Sequence, residues 1–463
     1  MTLIYSFRFL VFFMMLFSHL SLAQQRPNII FILTDDQRWD ALGFAGNDII
    51  LTPQMDQLAR EGIYFQNAFV TTPICAASRA SILTGLYERT HGYTFGQTLQ
   101  EDYAQQSYPE ELKKYGYNTA FFGKFGVNYP GFERLFQEGE SYDRNGQFKD
   151  RRGYFYKTIG ADTVHLTQYT SHQAQQFIRS QTVEKPFMLS LSFSAPHAHD
   201  PAEEQYFWSE SVDHLYQKGK FPKPQIAKDK YFEDLPEYVR KGENRTRWHW
   251  RYDDPDKYQA SIKGYYRMIS EVDLEIGKIR EVLKETGQDQ NTVIILMGDN
   301  GYFQGERQLA GKWLMYDNSL RVPLIIYDPR HVGHRTITSF ALNIDIAPTI
   351  LEFAGGIMPE SWQGLSLADY VIHENPALER RDFVVEHLWE VDIIPASEGL
   401  RTEEWKYFRY RDDPEREELY HLIQDPFEIK NLAGHADYLA ILEEMRELFR
   451  RNAALLESAR ITD

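Results

Sequence analysis

Cysteine is almost missing from this chain: its 463 residues contain one, Cys75. No internal disulfide can form, whatever the compartment. Positive charge is also short, with 50 Lys and Arg against 67 Asp and Glu and a net charge of −17. That balance excludes nucleic acid and anionic membrane surfaces as partners. The one markedly apolar stretch near the start, Phe9–Leu20, is too short to span a bilayer, so stable membrane insertion is not expected. No cysteine follows it, which excludes lipid attachment there, and no internal repeat or low-complexity tract is present. What the chain does have is apolar and aromatic residues, at 43% and 14%, with 29 tyrosines and 30 phenylalanines. That is enough for a sizeable core, and the length allows one large α/β unit or several domains.

Residues 1–23 read as a secretory signal. Arg8 precedes the apolar run, and Ser21-Leu22-Ala23 offers small residues for cleavage. The mature protein is then expected to be periplasmic or secreted, where a single unpaired cysteine is unusual and invites a reactive or modified role.

Several short, continuously apolar runs have the character of strands buried on both faces: Asn28–Thr34, Tyr117–Gly123, Phe187–Ser194, Thr292–Met297 and Val322–Asp328. Helical stretches alternate with them at 51–63, 76–83, 165–180, 258–287 and 344–354. The pattern predicts an α/β fold with a doubly wound, mostly parallel sheet flanked by helices. Residues 129–162 and 201–255 show no clear period and read as an irregular insertion and a long loop; the loop, through its Trp248-His249-Trp250-Arg251 run, is a candidate wall of the cleft. Beyond about residue 370 the pattern changes to short antiparallel strands, at Phe383–His387, Gly399–Arg401 and Trp405–Arg411, and a terminal amphipathic helix. The domains expected are a catalytic unit over 24–370 and a smaller C-terminal α+β subdomain over 371–463.

Cys75 opens the predicted helix that Gly85 closes. Unpaired N–H groups at a helix N-terminus favour a thiolate or a bound anion. Arg79 lies one turn on, on the same face. Spacing alone leaves Cys75 equally a small core residue. Stronger is the placement of other polar residues. In doubly wound sheets ligands bind beyond the carboxyl ends of the strands. Asp35 and Asp36, Lys124, His197, and Asp299 with Asn300 each follow a predicted strand. Three carboxylates and an amide oxygen are hard ligands, suited to Ca²⁺ or Mg²⁺ rather than zinc. Arg79, Lys124, Lys312 and His197 supply positive charge and donors. A hard cation beside a cationic cluster fits a tetrahedral oxyanion ester, and the residues leave sulfate and phosphate both open.

The run Cys75-Ala76-Ala77-Ser78-Arg79, continuing through Ala80-Ser81-Ile82-Leu83-Thr84-Gly85, resembles the signature of the type I sulfatases. Further resemblances are Thr34-Asp35-Asp36-Gln37, Gly123-Lys124, Ser194-Ala195-Pro196-His197, Gly298-Asp299-Asn300-Gly301 and Gly311-Lys312. The resemblance covers most of residues 27–432. It implies an alkaline-phosphatase-like fold and oxidation of Cys75 to formylglycine by a sulfatase-maturation enzyme. It implies Ca²⁺, ahead of Mg²⁺, held by Asp35, Asp36, Asp299, Asn300 and the modified Cys75. It assigns Arg79 to the formylglycine, and Lys124, His197 and Lys312 to the sulfate. Two positions depart from the family pattern. Ala77 stands where proline is usual, and Gly126 stands where many members carry a histidine.

The resemblance and the expected export suggest a sulfated carbohydrate as substrate. His199, Trp248, His249, Arg251, His387 and Arg401 are candidate sugar contacts. Two alternatives stay open: a phosphodiesterase or phosphonate monoester hydrolase of the same fold, and an inactive carbohydrate-binding relative.

Overall fold

The computed structural model describes residues 26–331, 333–373 and 379–461. The expected signal segment, 1–23, lies outside them. Taken in chain order, the elements that frame the site begin with strand β1 (Asn28–Thr34), helix α1 (Pro53–Glu61), strand β2 (Ile63–Phe65) and helix α2 (Cys75–Thr84). Strands β3 (Asn118–Gly123) and β4 (Glu138–Ser141), helix α3 (Leu166–Ser180) and strand β5 (Phe187–Ser192) follow. Then come helices α4 (Glu243–Arg251) and α5 (Pro255–Glu285) and strands β6 (Thr292–Gly298), β7 (Leu324–Tyr327) and β8 (Arg335–Ile337). Helix α6 (Ile346–Phe353), strands β9 (Asp382–His387), β10 (Ser397–Thr402), β11 (Trp405–Tyr410) and β12 (Asp413–His421), and helix α7 (Leu439–Ser458) complete the set.

The main sheet has eight strands in the order β8-β2-β7-β6-β1-β5-β3-β4. All run parallel except β7, which pairs antiparallel with β6 and with β2. β1 sits centrally, with Ile29 opposite Met188 on one side and Val293 on the other. Its residues alternate between two cores. Ile29, Phe31 and Leu33 face the layer holding Ala76, Ala80 and Leu83 of α2 and Ile346 and Ile350 of α6. Ile30 and Ile32 face Ala174 and Phe177 of α3 and Met268, Val272 and Ile276 of α5. Each fully buried side chain of this kind stabilises the fold by about 1.5–3 kcal/mol, which explains why β1 is apolar on both faces.

The C-terminal strands form a four-stranded antiparallel sheet, β9-β10-β11-β12. Phe383, Leu400 and Tyr407 of that sheet belong to the same apolar cluster as Phe31 and Leu83. The second sheet is thus welded to the first through a shared core.

Three sequence expectations need correction. Residues 129–162 contain β4, which extends the main sheet as its edge strand with Ala120 opposite Glu138 and Gly123 opposite Ser141. Its sequence, Glu138-Gly139-Glu140-Ser141, is polar because an edge strand faces water, so no apolar run announces it. The Trp248-His249-Trp250-Arg251 run lies on helix α4 and not in a loop. The helix expected over 51–63 begins at Pro53, the natural N1 residue, and ends at Glu61, so Ile63 falls in β2. The antiparallel β7 agrees with the mostly parallel sheet expected.

Candidate active site

Helix α2 is buried along its whole length, with Cys75 as its first residue and Gly85 closing it at φ 69°. Asn343 steadies it: its side chain donates to Ser78 Oγ at 3.0 Å and accepts from the Thr71 N–H at 3.0 Å. Cys75 is buried and unpaired, and its chain neighbours Ile74 and Ala77 pack with Trp313 and Ile394.

The strand ends are stitched so that their following residues converge. Asp299 N donates to Thr34 O at 2.9 Å, Asp35 N to Ala195 O at 3.2 Å, and Lys124 N to Ser192 O at 2.9 Å. Asp36 takes a left-handed backbone at φ 66°. The Asp36 N–H donates to Asp299 Oδ1 at 3.0 Å. Arg79 reaches across from α2 and donates through Nε to Asp299 Oδ2 at 2.9 Å and through Nη1 to Ser192 Oγ at 2.6 Å and to the Lys124 carbonyl. Lys124 Nζ lies 2.5 Å from Asp35 Oδ2, Lys312 Nζ pairs with Asp36 Oδ1, and Asn300 Nδ2 donates to Asp36 Oδ1 at 2.7 Å. His197 Nε2 is 3.5 Å from Asp36 Oδ2. Asp35, Asp36, Arg79, Lys124, His197, Asp299, Asn300 and Lys312 therefore form one buried cluster, beside Cys75.

Charge is unevenly compensated within it. Burial pushes the Asp35 carboxyl up, but Lys124, Arg79, Lys312 and Arg144 together hold it below the usual carboxylate range. Burial and the neighbouring Asp35 charge push Asp299 up to about 6. Burial opposes the charge on Lys312 and on Lys124, yet Asp36 raises the first and Asp143 and Asp35 raise the second. His197 is driven well below its ordinary value by burial and then by Arg144, Lys312 and Lys124.

The donor set fits a hard cation. Asp35 Oδ1, Asp36 Oδ2 and Asn300 Oδ1 are buried and have no hydrogen-bond partner. Orphaned oxygens of this kind are costly unless a cation takes them up. Ligand atoms of Asp35, Asp36 and His197 lie within 4.8 Å of one another.

Gly126 occupies a tight place. Its φ is +71°, and an added Cβ would lie 2.7 Å from Arg79 Cδ and 3.6 Å from Lys124 Cε. A larger residue at 126 is thus incompatible with this placement of Arg79.

The candidate sugar contacts scatter. His199 is buried, with Nε2 2.7 Å from the Phe148 carbonyl. Trp248 packs under Arg245, whose guanidinium is 3.9 Å from its ring. His249 is exposed and pairs with Asp253 at 3.3 Å. Arg251 is fully buried and ion-paired with Asp200, and Arg401 is buried over the Phe69 ring and pairs with Asp317 at 3.1 Å. His387 is buried with neither ring nitrogen bonded, and burial pushes it down to about 3. Arg251, Arg401 and His387 are therefore corrected: all three are buried, and the two arginines balance half-buried carboxylates. His199 is corrected as well, since its Nε2 is engaged with the main chain.

Sequence reasoning missed two groups. One is Asp143-Arg144. Because β4 pairs in parallel with β3, its carboxyl end arrives beside Lys124, and Tyr142 N donates to Gly123 O at 2.9 Å. Asp143 Oδ2 then lies 3.6 Å from Lys124 Nζ, and Arg144 donates to His197 Nδ1 and to the Ala198 carbonyl. The only available signal was a charged pair following a short polar stretch. The other is an aromatic cluster at the start of α2. Trp313 packs with Ile74 and Ala77, Trp389 packs against that cluster, and Phe95 lies tilted against Trp389 with ring centroids 5.1 Å apart. Arg247 lies 4.7 Å over Trp313 and 3.0 Å from Asp200.

Known proteins match most of this chain. The family model described as Sulfatase matches residues 27–357, and that described as N-sulphoglucosamine sulphohydrolase, C-terminal, matches 305–454. An N-acetylglucosamine-6-O-sulfatase of Bacteroides thetaiotaomicron is 28% identical, covering 92% of this chain and 88% of that protein. An arylsulfatase of Clostridium perfringens is 29% identical over 91% and 93%. Among solved structures, a protein in complex with its substrate D-glucosamine-2-N,6-O-disulfate superposes with TM-score 0.80 at 26% identity, over 94% of this chain and 98% of that one. The phosphonate monoester hydrolase of Agrobacterium radiobacter shares the fold, with TM-score 0.76 at 21% identity over 93% and 96%. With the Sulfatase model spanning both the Cys75 helix and every strand end that feeds the cluster, the chain belongs to the sulfatase family.

Proposed function

We propose that this protein hydrolyses a sulfate ester on a carbohydrate, using a formylglycine made from Cys75 by a maturation enzyme and a Ca²⁺ ion held by Asp35, Asp36, Asp299 and Asn300. The observation that carries this reading is the set of three orphaned buried oxygens facing a cationic cluster beside Cys75. When bound, the cation would neutralise the carboxylates and draw charge from the sulfate oxygens. When formed, the hydrated aldehyde supplies one hydroxyl for attack on sulfur and a second through which sulfate is expelled.

The chain's own side chains divide the remaining tasks. Arg79, tied to Asp299 and Ser192, fixes the N-terminal turn of α2 against the metal loop. Lys124, paired with Asp35, and Lys312, paired with Asp36, hold the anionic ester oxygens, where preformed donors stabilise developing charge best. His197 completes the donor set through Nε2. Trp389 and Phe95 offer an apolar face near the start of α2 on which a sugar ring can rest. Export to the periplasm or beyond suits a polysaccharide-derived substrate. Among the described residues no helix is long and apolar enough to cross a membrane.

The relatives point to the substrate class. One is named for N-acetylglucosamine 6-sulfate, and one solved neighbour holds a sulfated glucosamine. The test is sulfate release by protein purified from a host that forms formylglycine, assayed on sulfated monosaccharides and, in parallel, on phosphodiesters and phosphonate monoesters. Sulfate release from the sugars at a kcat/KM at least tenfold above any phosphorus ester supports the reading. Faster phosphonate cleavage identifies the hydrolase alternative. Tight sugar binding without turnover by a verified aldehyde form identifies the inactive relative.

A further inference from the structure

Just beyond α2 lies a buried carboxyl group that the proposed chemistry does not use. Glu88 opens the short helix Glu88–His91 and is 1% exposed. Two donors reach the same oxygen: Thr72 Oγ and the Leu388 N–H each donate to Glu88 Oε2 at 3.2 Å. Oε1 is buried and has no partner. The Thr94 hydroxyl, buried and otherwise unpartnered, lies beside the same carboxyl. Each of these neighbours adjoins a group near the start of α2. Thr72 stands shortly before Cys75, Leu388 directly before Trp389 and Thr94 directly before Phe95. Trp389 packs against Ile74, Ala77 and Trp313, and the Phe95 and Trp389 ring centroids are 5.1 Å apart. Glu386 N donates to Thr71 O at 2.9 Å, which holds two of the segments side by side.

None of the charged groups nearby offsets a charge on Glu88. Arg89, next along the helix, donates through its main-chain N–H and Nε to Glu386 of β9 at 2.8 and 3.0 Å. Its Nη2 donates to Glu398 of β10 at 2.8 Å, and Nη1 lies 3.3 Å from Glu457 of α7. His387, also on β9, is kept neutral by burial. An ionised Glu88 would thus be an unpaired buried charge beside Glu386, which is costly. Burial, and then the Glu386 charge, push its carboxyl up to about 8. The bonding pattern agrees. A neutral carboxyl has one oxygen that accepts and one that bears a hydrogen. Oε2 accepts both bonds, and Oε1 is left to donate to Thr94.

We infer that Glu88 is a positioning residue: its neutral carboxyl ties the Thr72, Thr94 and Leu388 segments together and so sets the Phe95–Trp389 face for the sugar, and charging it releases that face. For the sugar this inference rests on the sulfatase reading; the neutral junction stands without it. Alkaline solution should then weaken sugar binding and leave the chemistry at sulfur alone.

Two measurements test it. The first is steady-state sulfate release from N-acetylglucosamine 6-sulfate across neutral and alkaline pH. Wild-type KM should be level to about pH 7 and rise about tenfold by about pH 9, as the competent fraction falls. Glu88→Gln is neutral at every pH and can make the same bonds. Its KM should stay within about threefold of the wild-type value at neutral pH and remain level throughout. Glu88→Ala should raise KM about tenfold at neutral pH, with kcat little changed. Because Glu88 acts through Trp389, adding Glu88→Ala to Trp389→Ala should raise KM by no more than about threefold. A KM that rises with pH equally in Glu88→Gln, or a Glu88→Ala loss confined to kcat, overturns the inference. The Glu88→Gln comparison decides it even if Glu88→Ala does not fold. The second is the ¹³C spectrum of protein labelled at the glutamate carboxyl carbons, with the Glu88 signal identified by its absence in Glu88→Gln. A neutral-acid signal that moves to the carboxylate position near pH 8 is expected, and a carboxylate signal already present at neutral pH overturns the inference. Wild-type protein that releases no sulfate from any ester removes the sulfatase reading instead. Calorimetric binding of the same sugar must then weaken with rising pH in wild type and not in Glu88→Gln, or the inference falls too.

Discussion

Gly126 is one of the two positions at which this chain departs from the pattern it resembles, and the structure makes the consequence of changing it calculable. The perturbation is Gly126→Ala, one methyl group. The first contribution is conformational: at φ +71° an L side chain costs roughly 1–2 kcal/mol. The second is steric. The new Cβ would stand 2.7 Å from Arg79 Cδ and 3.3 Å from Arg79 Nε. Arg79 has little room to yield, being tied to Asp299 Oδ2 at 2.9 Å and Ser192 Oγ at 2.6 Å. Relief requires losing at least one such bond, and bonds to charged groups contribute about 1.5–3 kcal/mol each. The sum is about 3–5 kcal/mol, so Tm should fall by several degrees. A displacement of Arg79 approaching 1 Å should also lower kcat/KM about 100-fold. Gly116 supplies the control. It has φ +77° with nothing near its would-be Cβ, so Gly116→Ala should show the conformational cost alone and unchanged kcat/KM. Gly126→His, which restores the family residue, should be worse than Gly126→Ala. The measurements are thermal unfolding and steady-state sulfate release. A Gly126→Ala protein with Tm within 1 °C of wild type and kcat/KM within about twofold would refute the reasoning.

Removing divalent cations with a chelator should lower Tm, because Asp35 Oδ1, Asp36 Oδ2 and Asn300 Oδ1 are left without partners. Returning Ca²⁺ should raise Tm again with the logarithm of its concentration, the added stability reaching about 2.7 kcal/mol at a hundredfold excess over Kd, and a Tm indifferent to chelation counts against the metal site. Cys75→Ser should be nearly inactive at unchanged Tm, and substantial sulfate release with the serine shown to be unmodified would defeat the aldehyde mechanism. Far from the site, Asp273 accepts from the Gln54 and Met55 N–H groups at 3.0 and 2.8 Å, and burial pushes its carboxyl from the ordinary 3.8 up to about 7. The folded state then holds this proton more tightly than the unfolded chain, so the contribution is full below about pH 4 and is lost as pH rises to about 7. About three pH units correspond to an upper bound near 4 kcal/mol. Asp273→Asn should flatten the stability profile between pH 4 and 7, which urea titrations at several pH values can read, and an unaltered slope refutes it.

Local pattern was enough for much of this protein. The buried strands are continuous apolar runs because both faces meet helices, as with Ile29 and Ile30 lying in opposite cores. The Cys75 helix is bounded by Pro73 and Gly85, residues whose backbone preferences act within a few positions. Asp35, Lys124, His197 and Asp299 were readable as a group because each follows such a strand, and strand ends converge by the logic of a parallel sheet. Polar edge strands carry no such mark. Nothing within Glu138–Ser141 indicates pairing with β3, so Asp143 and Arg144 were invisible.

The sequence by itself determined the α/β class, and it marked Asp35, Asp36, Asp299 and Asn300 as hard oxygen donors at strand ends and Cys75 as the start of a helix, because these depend on side-chain chemistry and on neighbours close along the chain. Only the tertiary structure decided which arginines serve the site. Arg144 reaches His197 from 53 residues away, while Arg251 and Arg401, equally plausible by type, are held by Asp200 and Asp317. A guanidinium carries the same charge everywhere in a sequence. Which carboxylate neutralises it, and which groups it can still reach, is set by contacts between segments far apart in the chain.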